Sequence, residues 1–135
     1  MSESNINCLT YALRVEDRIG DEFPENLEWW KTPLEAISNF AGPYNLQVRS
    51  IEPHQELCPG EWRICFFGWI PVRRDYEHRV VLCDYHLLRQ EADGRWIHRM
   101  TWGSAPQEAD LESLAAEYRR CGYEPRYFAV RRSGT

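Results

Sequence analysis

Apolar and polar positions along the chain change period several times, and each change predicts an element. Cys8, Ala12, Val15 and Ile19 recur at helical spacing, with Leu9 and Leu13 beside them. This predicts a first helix from Asn5 to about Gly20, capped by Asn5 or Asn7. Thr32-Pro33-Leu34-Glu35 reads as a sharp second start, with Thr32 as cap, Pro33 at the first helical position and Glu35 closing a capping box. That helix stops before Gly42-Pro43 and turns Leu34, Ile37 and Phe40 or Ala41 inward. Leu46 to Ile51 alternates and predicts a strand. Glu61 to Ile70 is almost continuously apolar and predicts a central strand covered on both faces. Asp21 to Lys31, Pro71 to Glu77 and Thr101 to Gln107 read as connectors. One long strand is expected from about Arg79 to Gln90. Asp110 caps a third helix, with Leu111, Leu114, Ala115 and Tyr118 inward and Gly122 at its end. Arg126 to Val130 is a last strand, followed by a frayed tail from Arg131.

Helices and strands are segregated in this order, which predicts an α+β fold on a mainly antiparallel sheet. The 135 residues suit a single domain spanning 1–135.

The stretch from Asp84 to His98 predicts a hairpin that carries two histidines, His86 and His98. Their relation depends on loop parity, because opposed residues in a hairpin share a face. A two-residue loop, Asp93-Gly94, sets His98 against Arg89 and turns His86 to the other face. A three-residue loop, Ala92-Asp93-Gly94, sets His98 against Leu88 and makes the two histidines diagonal neighbours. The three-residue form needs a residue at positive φ, and Gly94 supplies it.

Composition narrows the functional classes. Hydrophobic residues make up 43% of the chain, which supports a packed core. The net charge of −5 weighs against nucleic acid as partner. No stretch has the length of a transmembrane helix, and Met-Ser-Glu-Ser opens no secretory signal. The expected location is cytoplasmic, with signal-less export as an effector left open. The cysteines (Cys8, Cys58, Cys65, Cys83 and Cys121) form no CxxC pair and no zinc spacing, and most are expected to be buried. Cys8 lies in the first turn of the first helix, where free N–H groups and the helix dipole favour a thiolate.

A helix-start Cys followed by a His on a central strand and a polar residue on the next strand resembles the papain-like cysteine enzymes. It is most similar to their small bacterial NlpC/P60-type form. The residues that carry this are Asn7-Cys8-Leu9-Thr10-Tyr11-Ala12-Leu13, Asp84-Tyr85-His86, Arg89-Gln90 and Gly94-Arg95-Trp96-Ile97-His98. The resemblance implies a thiol peptidase, amidase or deamidase acting on a protein or peptide, without cofactor or metal. It implies Cys8 as nucleophile, His86 as general base and His98 as the residue that orients it. The Cys8 N–H would form half of an oxyanion hole, with the side chain of Asn5 or Asn7 as the other donor. His78 is a rival for the base. An acyltransferase, a metal site from Cys8, His86 and His98, and a non-catalytic binding module contacting a protein through Trp29, Trp30 and Trp102 are the alternatives. Oligomeric state is not legible.

Overall fold

The computed structural model describes residues 8–15, 27–28, 33–68, 72–74, 79–82, 85–99 and 105–133. In chain order the elements are α1 (Cys8–Ala12), β1 (Leu27–Glu28), α2 (Pro33–Ala41), β2 (Leu46–Ile51), β3 (Trp62–Gly68), β4 (Val72–Arg74), β5 (Arg79–Leu82), β6 (Tyr85–Gln90), β7 (Trp96–His98), β8 (Gln107–Ala109), α3 (Leu111–Arg120) and β9 (Arg126–Arg132). Six strands form one antiparallel sheet in the order β2-β9-β3-β6-β7-β8, and three form a second in the order β1-β5-β4. The fold is α+β. No helix among the described residues is long and apolar enough to cross a membrane.

β3 is the hinge of the packing. It pairs with β9 on one side and β6 on the other. Its side chains alternate between two cores, as strand geometry requires. Ile64 and Phe66 join Leu87, Phe128 and Val130 beneath α1 and α2. Cys65 and Phe67 join Leu88 beneath Ala115 of α3. Phe66 and Phe67 are both fully buried, and each such side chain stabilises the fold by roughly 2–3 kcal/mol. The continuous apolar run in β3 therefore marks a strand with a helix on each face.

Local chemistry accounts for α3. Asp110 accepts the Ser113 N–H, Glu112 lies in the first turn, and Arg119 and Arg120 lie in the last. Gly122 at φ 92° closes it: its N–H donates to Arg119 O and the Tyr123 N–H to Tyr118 O.

Several boundaries differ from the sequence expectation. The first helix, expected over 5–20, ends at Ala12, with a turn at Leu13 and Arg14 in the left-handed region at φ 59°. Leu9, Ala12, Leu13 and Val15 are buried all the same, so the apolar spacing identified the core contacts and overstated the helix. The long strand expected over 79–90 is two strands in different sheets, β5 and β6. The expected connectors contain the short strands β1 and β4, and β8 begins at the end of the third, all too short to show a period. β9 continues to Arg132, because Arg131 and Arg132 pair with Gln47 and Leu46. Cys65 is buried, but Cys58 and Cys121 are exposed, contrary to the expectation for most cysteines.

Candidate active site

The hairpin has the three-residue loop. Arg89 pairs with Ile97 and Gln90 with Trp96. The Glu91 N–H donates to Arg95 O at 2.8 Å, and the Gly94 N–H to Glu91 O at 2.9 Å. Gly94 sits at φ 95°, a conformation most side chains resist. Continuing this register sets His98 opposite Leu88, so His86 and His98 share one face as diagonal neighbours. Their rings meet: His86 Nε2 lies 2.8 Å from His98 Nδ1, with ring planes at 68°.

Both rings are partly or wholly withdrawn from water. His98 is 7% exposed, the one polar side chain in the buried set among the described residues. Burial, and then the facing His98, push the His86 imidazole down to about 4. Burial lowers His98 as well. The pair is therefore neutral near pH 7. A neutral pair joined through these two nitrogens has two arrangements. In one, His86 donates from Nε2 and keeps Nδ1 as a free acceptor. In the other, His98 donates from Nδ1 and His86 carries its proton on Nδ1.

Cys8 is the first residue of α1 and is half-buried. The expectation of a lowered thiol pKa does not hold. Burial pushes the Cys8 thiol up to about 11, although the backbone N–H groups of Leu87, Cys8 and Leu9 pull the other way. Desolvation of the sulfur outweighs the pull of these N–H groups.

The contact with Leu87 locates the sulfur. In the hairpin the Glu91–Arg95 pair is hydrogen-bonded, so Arg89 and Leu87 also aim their N–H groups toward the β7 side. The rungs between β6 and β7 are Gln90↔Trp96 and Arg89↔Ile97. At Leu87 the N–H is taken by the Cys8 thiol. The sulfur thus lies at the edge of β6, one residue past His86. His86 faces the α3 side, because it pairs with Phe67, whereas α1 packs on the opposite side.

Two side chains to which the sequence assigned no role hold α1 in this position. Arg89 donates to Tyr11 O at 2.9 Å, lies 3.9 Å from the centre of the Tyr11 ring, and is held by Glu91 at 2.8 Å. Trp62 donates its indole N–H to Ala12 O at 2.9 Å. Both donate to carbonyls at the end of α1, where Tyr11 O also accepts the Arg14 N–H at 3.1 Å. Arg89 is on the same strand as His86, so the strand that carries His86 also fixes the helix that carries Cys8. Neither residue stands in a local pattern that would have revealed this, since the contacts span 78 and 50 residues.

Asn5, Asn7, His78, Trp29, Trp30, Trp102, Cys83 and Asp84 lie outside the described residues. His54 is exposed in a loop, as expected. Among the described residues, no three His, Cys, Asp or Glu side chains are grouped to hold a metal ion. No family model matches the chain, and the searches of curated proteins and of solved structures returned no match.

Proposed function

We propose that the protein is a thiol hydrolase of papain-like type that cleaves an amide or peptide bond in a protein or peptide. Cys8 is the nucleophile, His86 the general base, and His98 the residue that orients it. The observation that carries this reading is the 2.8 Å contact between His86 Nε2 and His98 Nδ1. With Nε2 donating to His98, the nitrogen of His86 left to receive a proton is Nδ1.

The raised thiol and lowered imidazole favour a neutral resting pair over a thiolate–imidazolium pair. Proton transfer then accompanies attack. The Cys8 S–H gives its proton to His86 Nδ1 as the sulfur bonds to the carbonyl carbon. His98 Nδ1 accepts from the imidazolium so formed and stabilises it. The Cys8 N–H donates to the oxyanion. Collapse breaks the C–N bond, and His86 returns the proton to the leaving amine. Water, deprotonated by His86, then opens the thioester and regenerates the thiol. An amine in place of water would make the same site an acyltransferase.

The test uses a Cys58→Ser/Cys121→Ser background, which removes the exposed thiols, and p-nitrophenyl acetate as acyl donor. Acid-quenched protein is mapped for acetyl-Cys8. The expected result is rapid acetylation of Cys8, slowed about 100-fold or more in His86→Ala and retained in His78→Ala. Acetylation of Cys8 that is no faster than in His86→Ala overturns the reading and leaves the binding module. A loss in His78→Ala alone moves the base to His78.

A further inference from the structure

The mechanism needs a second donor for the oxyanion. We infer that the Tyr118 hydroxyl is that donor, an inference that rests on the function proposed above. Tyr118 lies on α3, which packs over the His86-bearing face of the sheet. Its ring stacks on Phe67, with centroids 4.4 Å apart and planes within 10°. Phe67 is the direct cross-strand partner of His86. Opposed residues have Cβ atoms about 5 Å apart, so a ring stacked on Phe67 stands beside His86. Tyr118 also packs against the cluster that contains Leu88, the next residue along β6 on the His86 face. The ring thus covers the corner formed by Phe67, His86 and Leu88.

The hydroxyl is available. Among the described residues it has no hydrogen-bond partner, and the residue is half-buried. Its chemistry suits the task, since an oxyanion donor must keep its proton at working pH. Burial, the charge at Cys8, and then those at Glu117 and Cys121 push the Tyr118 phenol above its ordinary value. The influence of Cys8 on that phenol also places the hydroxyl within electrostatic range of the sulfur, beside which the attacked carbonyl oxygen gains its negative charge. An O–H donor placed there gains strength as the tetrahedral intermediate forms, which is the condition for accelerating the reaction.

The sequence placed Tyr118 among the inward residues of a helix and went no further. Its role depends on Phe67, 51 positions earlier in the chain, being both its stacking partner and the neighbour of His86.

Tyr118→Phe tests the inference. Phenylalanine preserves the stack on Phe67 and removes only the hydroxyl. Two reactions are followed in the Cys58→Ser/Cys121→Ser background. Acetylation by p-nitrophenyl acetate passes through an oxyanion, and alkylation by iodoacetamide does not. The expected result is acetylation of Cys8 slowed about 100-fold with alkylation of Cys8 unchanged, and thermal unfolding at the same temperature. Equal slowing of both reactions overturns the inference, because Tyr118 would then shape only the surroundings of the thiol. Acetylation at the background rate also overturns it while leaving the proposed function standing. Absence of His86-dependent acetylation in the background itself removes both.

Discussion

Acidification provides a quantitative test of the histidine pair, and it needs no substrate. His86 titrates near 6.5 in the unfolded chain and about 4 in the folded one. As the pH falls, the unfolded chain therefore takes up the proton first. Stability is complete above about pH 6.5 and declines until the folded pKa near 4 is passed. One pKa unit corresponds to about 1.4 kcal/mol, so a separation of about 2.5 units amounts to roughly 3 kcal/mol over the whole window. Between about pH 7.5 and about pH 5, His86 alone accounts for a loss of roughly 2 kcal/mol. His98, also lowered, adds in the same direction. Another strongly shifted acid among the described residues works in a lower window. The Arg49 guanidinium holds the Glu61 carboxyl down to about 2, so its contribution is lost only below about pH 4.5. The assay is urea unfolding at the two pH values for the intact protein and for His86→Gln, which cannot titrate. The intact protein loses roughly 2 kcal/mol or more, and His86→Gln loses that much less. The same pH dependence in both proteins refutes the claim that His86 is neutral because it is buried against His98.

The thiol and the turn supply two further predictions. The rate of iodoacetamide labelling at Cys8 climbs with pH past 9 instead of levelling there, because its pKa is pushed up to about 11; a plateau below about pH 8 in a rate–pH profile refutes this. Gly94→Ala destabilises the hairpin by roughly 1 kcal/mol or more and slows Cys8 acetylation, whereas Gly94→Asn, which tolerates positive φ, is milder in both chemical unfolding and acetylation; equal effects refute the need for the left-handed turn.

Much of the fold was legible because its signals are local. β2 and α2 follow the expected bounds because their periods are clear and the breaker between them, Gly42-Pro43, is strong. The capping of α3 by Asp110 and its closure at Gly122 follow from residue chemistry alone. α1 was misjudged in length because apolar spacing reports burial, and a turn of chain can bury the same residues as a helix. The division of 79–90 between two sheets was not legible, because β-pairing is chosen by partners far away in sequence.

The site divides in the same way. Parity is a property of the hairpin's own residues, so the sequence could bring His86 and His98 to one face. The identity of the bonded atoms, Nε2 and Nδ1, depends on ring rotation within a packed layer. The thiol's pKa went the opposite way from the sequence expectation, because a helix start is local whereas desolvation is set by everything that surrounds it.

The sequence by itself determined the elements with strong periods, the α+β class, the left-handed turn at Gly94 and the alignment of two histidines. These follow from backbone sterics and alternation within short stretches. Only the tertiary structure decided that Arg89 and Trp62 anchor α1, that the Cys8 sulfur meets the Leu87 N–H, and that Tyr118 stands over the partner of His86. Each of these depends on packing between residues tens of positions apart, where contact geometry and loss of water override local preference.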